Sequence, residues 1–350
     1  MRAQKRADPS RLRAFACRAF ERVGVPAPDA EQTAEMLVES DLRGVDSHGV
    51  GHLSMYVRGV QQERINPKPR MRLTRGSPSA AVLDGGGGLG FVVGRRGMKE
   101  AMGIASEQGC GWVAVRNSSH FGMGACYAMM ALERGMIGIS TTCAGPLVAP
   151  PGGTEPLVGG NVLAIAAPGR RHGPFVLDMA TCVVARGKLE IASREGKPVP
   201  EGWAIDREGK PLTDPAKYFR EGGAVLPLGS TISHGAYKGF GLALAIEMLA
   251  GLLSGGGSFL PMSEGVCHAF GALRIDAFLP VERFGEMMDG MIDRIHAAPR
   301  MEGAPPIMYP GERENIVKEE RLREGIPLHP DVVGELGGLA GELGLALDIW

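Results

Sequence analysis

His48, His52 and Tyr56 stand four residues apart in the segment DSHGVGHLSMY, with Ser47 just ahead of them. A helical backbone through this segment would place the three side chains on one stripe, because residues four apart on a helix are neighbours. Two imidazoles and a phenol on one stripe can move protons near neutral pH and bind an oxyanion. The same spacing also suits a half-buried helix face with polar tips at a domain junction. A third histidine, His120, lies in NSSHFG, a polar, glycine-bounded turn after the apolar run GWVAVR, where strand-end loops often carry catalytic groups. A solvated or structural histidine fits that turn as well.

Two further segments could bind phosphate. YKGFG sets Lys238 and Gly239 at the start of an apolar helix, which combines a point cation, free backbone N–H groups and the positive end of the helix dipole. A capped helix with its lysine in water is the plainer reading. In Asp84-GGGGLG, the residues Gly85, Gly87 and Gly90 match the GxGxxG spacing of a dinucleotide turn, with Glu107 where a ribose-binding acid would fall. With 53 glycines in 350 residues, however, such a match arises easily by chance, and four consecutive glycines equally suit a tight turn.

The elements that must position these residues follow from periodicity. Ser10 can cap a helix carrying Leu12, Phe15, Ala16, Ala19, Phe20 and Val23, which ends at Gly24. Asp29 with Gln32 opens a second helix that stops at Gly44, and the histidine stripe forms a third. From Ala80 the texture changes to short strands (AAVLD, GWVAVR, MIGIST, VLAIAAP, FVLDMA, HAFGALRID) between helical segments such as RRGMKEAMGIASEQ and FGLALAIEMLAGLL. After IMYPGERE a charged helical texture returns, so the C-terminal tail is expected to pack on the N-terminal helices. GKPVPEGWAIDREGKPLTDP is an excursion of the kind that covers a site or a subunit contact, or a plain surface loop.

Composition excludes several function classes. A chain with 44% hydrophobic residues buries a sizeable core. A formal net charge of −1 gives no global footprint for nucleic acid or an anionic membrane. No apolar run reaches membrane-spanning length, since Glu247 interrupts GLALAIEMLAGLL. Six dispersed cysteines without CxxC or Cys/His clustering argue against a structural zinc site or a disulfide scaffold, so no metal is expected and a reducing cytoplasm fits. The Arg-rich N-terminal residues lack the apolar stretch of a secretory signal and read as an ordinary first helix from Arg11.

Taken in order, RGVDSHGV, RNSSHFG, PPGG followed by GGN, LDMAT with ARGK behind it, YKGFGLALAIEMLAG and YPGERE resemble the type-2 malate/L-lactate dehydrogenase family, over nearly the whole chain. The family also includes ureidoglycolate, sulfolactate and diketogulonate dehydrogenases and a cyclic imino-acid reductase. The resemblance implies an α/β (α+β) protein without a Rossmann fold. A helical domain built from both chain ends, 1–75 with 305–350, would pack on a central α/β cofactor-binding domain, 76–304, with a mainly antiparallel mixed sheet. It further implies a homodimer that uses NAD or NADP to transfer hydride to or from a small 2-hydroxy or 2-oxo carboxylic acid, with the cofactor away from GGGGLG.

By the same resemblance the cofactor contacts Asp178, Met179 and Ala180, the loop of Cys143, Ala144 and Pro146, Asn161, and Lys238 with Gly239. Ser47, His52 and Tyr56 belong to the substrate. One histidine is the acid/base; we read His120 as the base and His48 as a substrate-binding or proton-relay partner. The sequence also departs from the family. His52 replaces an arginine expected to hold the substrate carboxylate, and imidazole has no bidentate fork. Thr142-Cys143-Ala144 replaces TNS, and Gly159-Gly160-Asn161-Val162 replaces GTNP, which points to an altered pocket. Reduction of a cyclic imino acid is the enzymatic alternative, and nucleotide binding without turnover the non-enzymatic one.

Overall fold

The structure, a computed structural model, describes residues 5–143, 145–257 and 265–350. Its centre is a seven-stranded sheet. In chain order the strands are β1 (Arg72–Ser77), β2 (Ala80–Asp84), β3 (Cys110–Ser118), β4 (Met136–Cys143), β5 (Val162–Ala167), β6 (Phe175–Ala180) and β7 (Val266–Arg274). Their spatial order is β1-β2-β3-β7-β4-β5-β6. Only β2 and β3 run parallel, and every other neighbouring pair in this sheet is antiparallel. The expected mixed, mainly antiparallel sheet is present, and it lacks the parallel doubly wound order of a Rossmann fold.

All six strand segments read from the sequence are strands. The edge strand β1 escaped that reading because RLTRGS is polar and mostly exposed, so it carries no alternating apolar signal. Buried β7 is the opposite case: flanked on both sides by strands, it reads as a near-continuous apolar run.

The helices are α1 (Pro9–Arg22), α2 (Ala27–Leu42), α3 (Leu53–Gln61), α4 (Gly90–Gln108), α5 (Arg186–Arg194), α6 (Ala236–Ile246), α7 (Val281–His296), α8 (Glu312–Glu324) and α9 (Pro330–Leu343), along with shorter turns. Asp8, not Ser10, caps α1, accepting hydrogen bonds from the backbone N–H groups of Ser10 and Arg11 at 2.8 and 3.0 Å. Helix α4 lies on the sheet against β3 and β7. Gly97 permits the close approach, since a Cβ there would stand 2.6 Å from the Phe270 ring.

The two chain ends meet. Arg6–Ala7 pairs antiparallel with Ile326–Pro327, α9 contacts α1 and α3, and α8 contacts α2. The Lys318 ammonium bridges to Glu39 at 2.7 Å, fastening α8 to α2. One apolar cluster runs from Leu12, Phe15 and Phe20 through Phe91 and Tyr127 to Phe270 and on to Leu336 and Ile349, so both chain ends share a core with the α4 side of the sheet. No described helix is long and apolar enough to cross a membrane.

Candidate active site

The histidine stripe does not form a single helix. Asp46–His48 and Val50–His52 are 3₁₀ turns separated by extended Gly49, and α3 begins only at Leu53. Asp41, buried at the end of α2, sets this path: its carboxylate accepts the Val50 N–H at 2.8 Å. Gly49 lies so tight on that carboxylate that a Cβ would come within 1.8 Å of its oxygen. The short turns still bring the side chains together. The rings of His48 and His52 are 6.3 Å apart, and each also meets His120, at 5.7 and 6.3 Å; the His48–His120 pair is stacked. Tyr56, buried at the start of α3, hydrogen-bonds Nδ1 of His120 through its hydroxyl at 2.6 Å.

The loop that carries His120 is held from three sides. Gly90 N–H donates to Ser119 Oγ at 2.9 Å, the Tyr127 hydroxyl donates to the Phe121 carbonyl, and Asn117, at φ +53°, donates through its amide to Asp84 at 3.1 Å. The glycine run of Asp84-GGGGLG serves this clamp. The N–H groups of Gly85 and Gly87 donate to the carbonyls of Arg116 and Asn117, each at 2.9 Å, so they are turned to the protein and not to a pyrophosphate. Glu107, the notional ribose acid, is exposed and paired with Arg75 at 3.0 Å.

Beneath the loop lies His268 of β7, which the sequence reading missed. It is fully buried, stacks on Phe121 at 4.6 Å, and its ring nitrogens meet Thr142 Oγ1 at 2.8 Å and Ser118 Oγ at 2.9 Å. The available signal was one polar residue in the otherwise apolar strand VCHAFGALR, since a buried polar group must find partners.

His48 and Ser47 line a cleft of 340 Å³ together with Gly124, Asp178, Met179 and Ala180. One Asp178 oxygen accepts the Ala125 N–H at 2.7 Å. Surrounding protein raises its pKa to about 6, although the side chain still reaches solvent through the cleft. Two cations also line the cleft. Arg43 is engaged by Glu39 and Asn315, whereas Lys188, from the ARGK motif, makes no ion pair among the described residues. These residues fit a nicotinamide. Gly122, Gly124 and Ala125 present no bulk to the cleft and leave Met123 as the one large side chain of that stretch, a Cβ on Gly124 would stand 3.3 Å from Asp178 Oδ1, and that oxygen has no protein donor among the described residues.

Burial governs the electrostatics of the histidines. It lowers the pKa of His48 to about 4, with His52 adding like-charge repulsion, and lowers those of His120 and His268 to about 3. The pKa of His52 also falls, by burial first. All are neutral at pH 7.

The other expected site residues lie elsewhere. His52 faces a separate hollow of 240 Å³, shared with Glu190 and Arg194. Cys143 is buried against Cys267, its partner across the β4–β7 pairing, so its side chain points away from the cleft. Ala144 lies outside the described residues, and Pro146 is exposed. Asn161 is buried and spends its amide N–H groups on the Ala243 carbonyl and Glu247, at 2.9 and 3.0 Å, which ties β5 to α6. Lys238 is exposed on the first turn of α6, and Gly239 packs on Leu228; neither lines the cleft of His48.

A sequence family described as malate/L-lactate dehydrogenase matches residues 7–337. The chain is 44% identical to a malate dehydrogenase of Pyrococcus horikoshii, covering 97% of this chain and 96% of that one. A solved structure of malate dehydrogenase from the same organism superposes with a TM-score of 0.90 at 42% identity, covering 98% of this chain and 97% of that one. An L-sulfolactate dehydrogenase of Methanocaldococcus jannaschii is 38% identical over 94% of each chain. A (2R)-3-sulfolactate dehydrogenase (NADP(+)) of Chromohalobacter salexigens is 34% identical over 93% of this chain and 95% of that one.

Proposed function

The chain belongs to the malate/L-lactate dehydrogenase family, and from that premise we propose that His48, His120 and Asp178 are the working residues of its cleft. The protein is a nicotinamide-dependent oxidoreductase acting on CH–OH donors, which passes hydride between NAD or NADP and a small 2-hydroxy or 2-oxo acid. The observation that carries the site assignment is that His48 lines the cleft that also holds Asp178 and stacks on His120.

When bound, the nicotinamide supplies the hydride acceptor or donor. The protein must handle the proton, since an alcohol that loses hydride while keeping its hydroxyl proton becomes a high-energy oxocation. The imidazole pair is placed for that duty. Asp178, Met179 and Ala180 would hold the nicotinamide end, and Lys188, which has no ion-pair partner among the described residues, suits an anionic group of cofactor or substrate. For Lys238 and Gly239 a phosphate role rests on sequence similarity and on the exposed lysine at a helix start; similarity alone carries Cys143, Ala144, Pro146 and Asn161.

Burial lowers the pKa of His48, and an anionic acid beside the ring favours its charged form, so substrate binding raises that pKa. Between the free and the raised pKa, binding therefore takes up protons. Calorimetry of oxamate binding to the NAD(P)H complex, in buffers of different ionisation enthalpy near pH 6, should show net proton uptake. Identical heats in all buffers, at about pH 6 and on repetition at about pH 5 and 4.5, would remove His48 from the substrate's vicinity.

We read the assembly as a homodimer formed through α6 and the π-helical turn after it, Glu247–Leu252. Tyr237, Met248, Leu252 and Leu253 line one outer face there, exposed at 63, 54, 48 and 59%. A stripe that apolar is a liability on a free surface. The double change Leu252→Glu with Leu253→Glu should weaken association at least about 30-fold and give monomers in sedimentation at micromolar protein; unchanged sedimentation would place the interface elsewhere. The division into 1–75 with 305–350 and 76–304 is supported by the Lys318–Glu39 bridge and the pairing of the chain ends. A cytoplasmic location is supported by six dispersed cysteines that form no disulfide among the described residues.

Titration with NADH and NADPH, followed by turnover with 2-oxo acids, tests the assignment. His48→Ala and His120→Ala should bind cofactor yet turn over slowly. Full activity in both would overturn it.

A further inference from the structure

Tyr56 was expected to contact substrate, but it is 1% exposed and its hydroxyl has one partner among the described residues, Nδ1 of His120 at 2.6 Å. A phenol has a single proton to donate, and a buried donor left without an acceptor is costly. Nδ1 is the acceptor within reach, so the phenol proton points at it and Nδ1 carries none. A neutral imidazole has one ring proton, which must then sit on Nε2. Burial supports both premises: it raises the Tyr56 pKa, so the phenol keeps its proton, and it keeps the His120 ring uncharged. Nε2 of His120 has no partner among the described residues and is not sealed from solvent by them.

His48 is held differently. Its Nδ1 meets Ser47 Oγ at 3.0 Å, and a serine hydroxyl either donates or accepts. That contact survives whether the ring carries one proton or two. The Tyr56 contact does not, because an imidazolium Nδ1–H would face a phenol whose own proton then has no acceptor.

We infer that Tyr56 is a positioning residue that fixes His120 as a proton-bearing Nε2 donor to the reacting oxygen, which leaves His48 to exchange the proton. In the reductive direction the carbonyl carbon accepts hydride from the reduced nicotinamide while the oxygen takes a proton from His48, with His120 donating a hydrogen bond throughout; oxidation is the reverse. This division of labour rests on the site assignment above and reverses the sequence-based preference for His120 as the base.

The direct test reads the tautomer without any substrate, so it stands apart from the proof of activity. Ring ¹⁵N–¹H correlation spectra of the full-length ¹⁵N-histidine protein, with His120 assigned by its loss in His120→Gln, should show Nδ1 unprotonated and Nε2 protonated. In Tyr56→Phe the two tautomers should mix, and kcat/KM should fall roughly ten-fold, the worth of one strong hydrogen bond. A wild-type His120 with its proton on Nδ1 would overturn the inference. So would a Tyr56→Phe protein with unchanged tautomer and turnover.

Discussion

Replacing His48 by alanine is expected to lower kcat by about 10²–10⁴ in both directions, the usual worth of a positioned acid/base. NADH or NADPH should bind that variant as in the parent, because the removed ring lies at the cleft wall while the residues assigned to the nicotinamide stay in place. Loss of His120 should also be severe, about 10²–10³, since it removes a fixed donor from the reacting oxygen. The two losses should not multiply in the double variant, because the stacked rings act on one oxygen as a unit. Pre-steady-state rates for the single and double variants check this. A His48→Ala enzyme with parental single-turnover rates would contradict the role given to His48.

Gly90→Ala is expected to hurt both stability and turnover although residue 90 touches no reactant. A Cβ there would sit 2.3 Å from the Ser119 carbonyl oxygen and 2.4 Å from that of His120. Both obstacles are backbone atoms that cannot swing away, so the loop must move as a body. Overpacking of this kind costs about 1–3 kcal/mol. A displacement near 1 Å at a catalytic group costs about 10² in rate. Urea unfolding and kcat measured on the same preparation separate the two effects. A variant with parental stability and parental kcat would mean that the clamp at Gly90 does not set the position of His120.

Much of this was legible in the sequence, for reasons particular residues make plain. The sheet announced itself because its inner strands are short apolar runs broken by glycine. The nearness of His48 and His52 agrees with their spacing, although the backbone reaches it through two 3₁₀ turns that Asp41 and Gly49 impose, a tertiary constraint with no local signature. Side-chain direction was the weak point. Alternation along β4 sends Thr142 to His268 and Cys143 to Cys267, so a one-residue step decides which of them looks toward the His120 loop. The Asp84-GGGGLG run shows a complementary lesson. Its glycines suit a turn or a pyrophosphate cradle alike, and the difference lies in the long-range bonds by which the Gly85 and Gly87 N–H groups hold the Arg116 and Asn117 carbonyls. The role of Tyr56 was equally out of reach, because a residue that acts through another differs from a substrate ligand only in what its hydroxyl touches.

In this cleft hydride should pass between a nicotinamide and the C2 carbon of a small 2-hydroxy or 2-oxo acid. Reduced cofactor deuterated at C4 of the nicotinamide, incubated with the protein and a panel of oxaloacetate, pyruvate and 3-sulfopyruvate, tests it most directly. The expected product is a hydroxy acid carrying deuterium at C2, in one stereochemical sense, with that label transfer lost in His48→Ala. Folded protein that binds the cofactor saturably, yet transfers no deuterium to any 2-oxo acid in the panel, would contradict it.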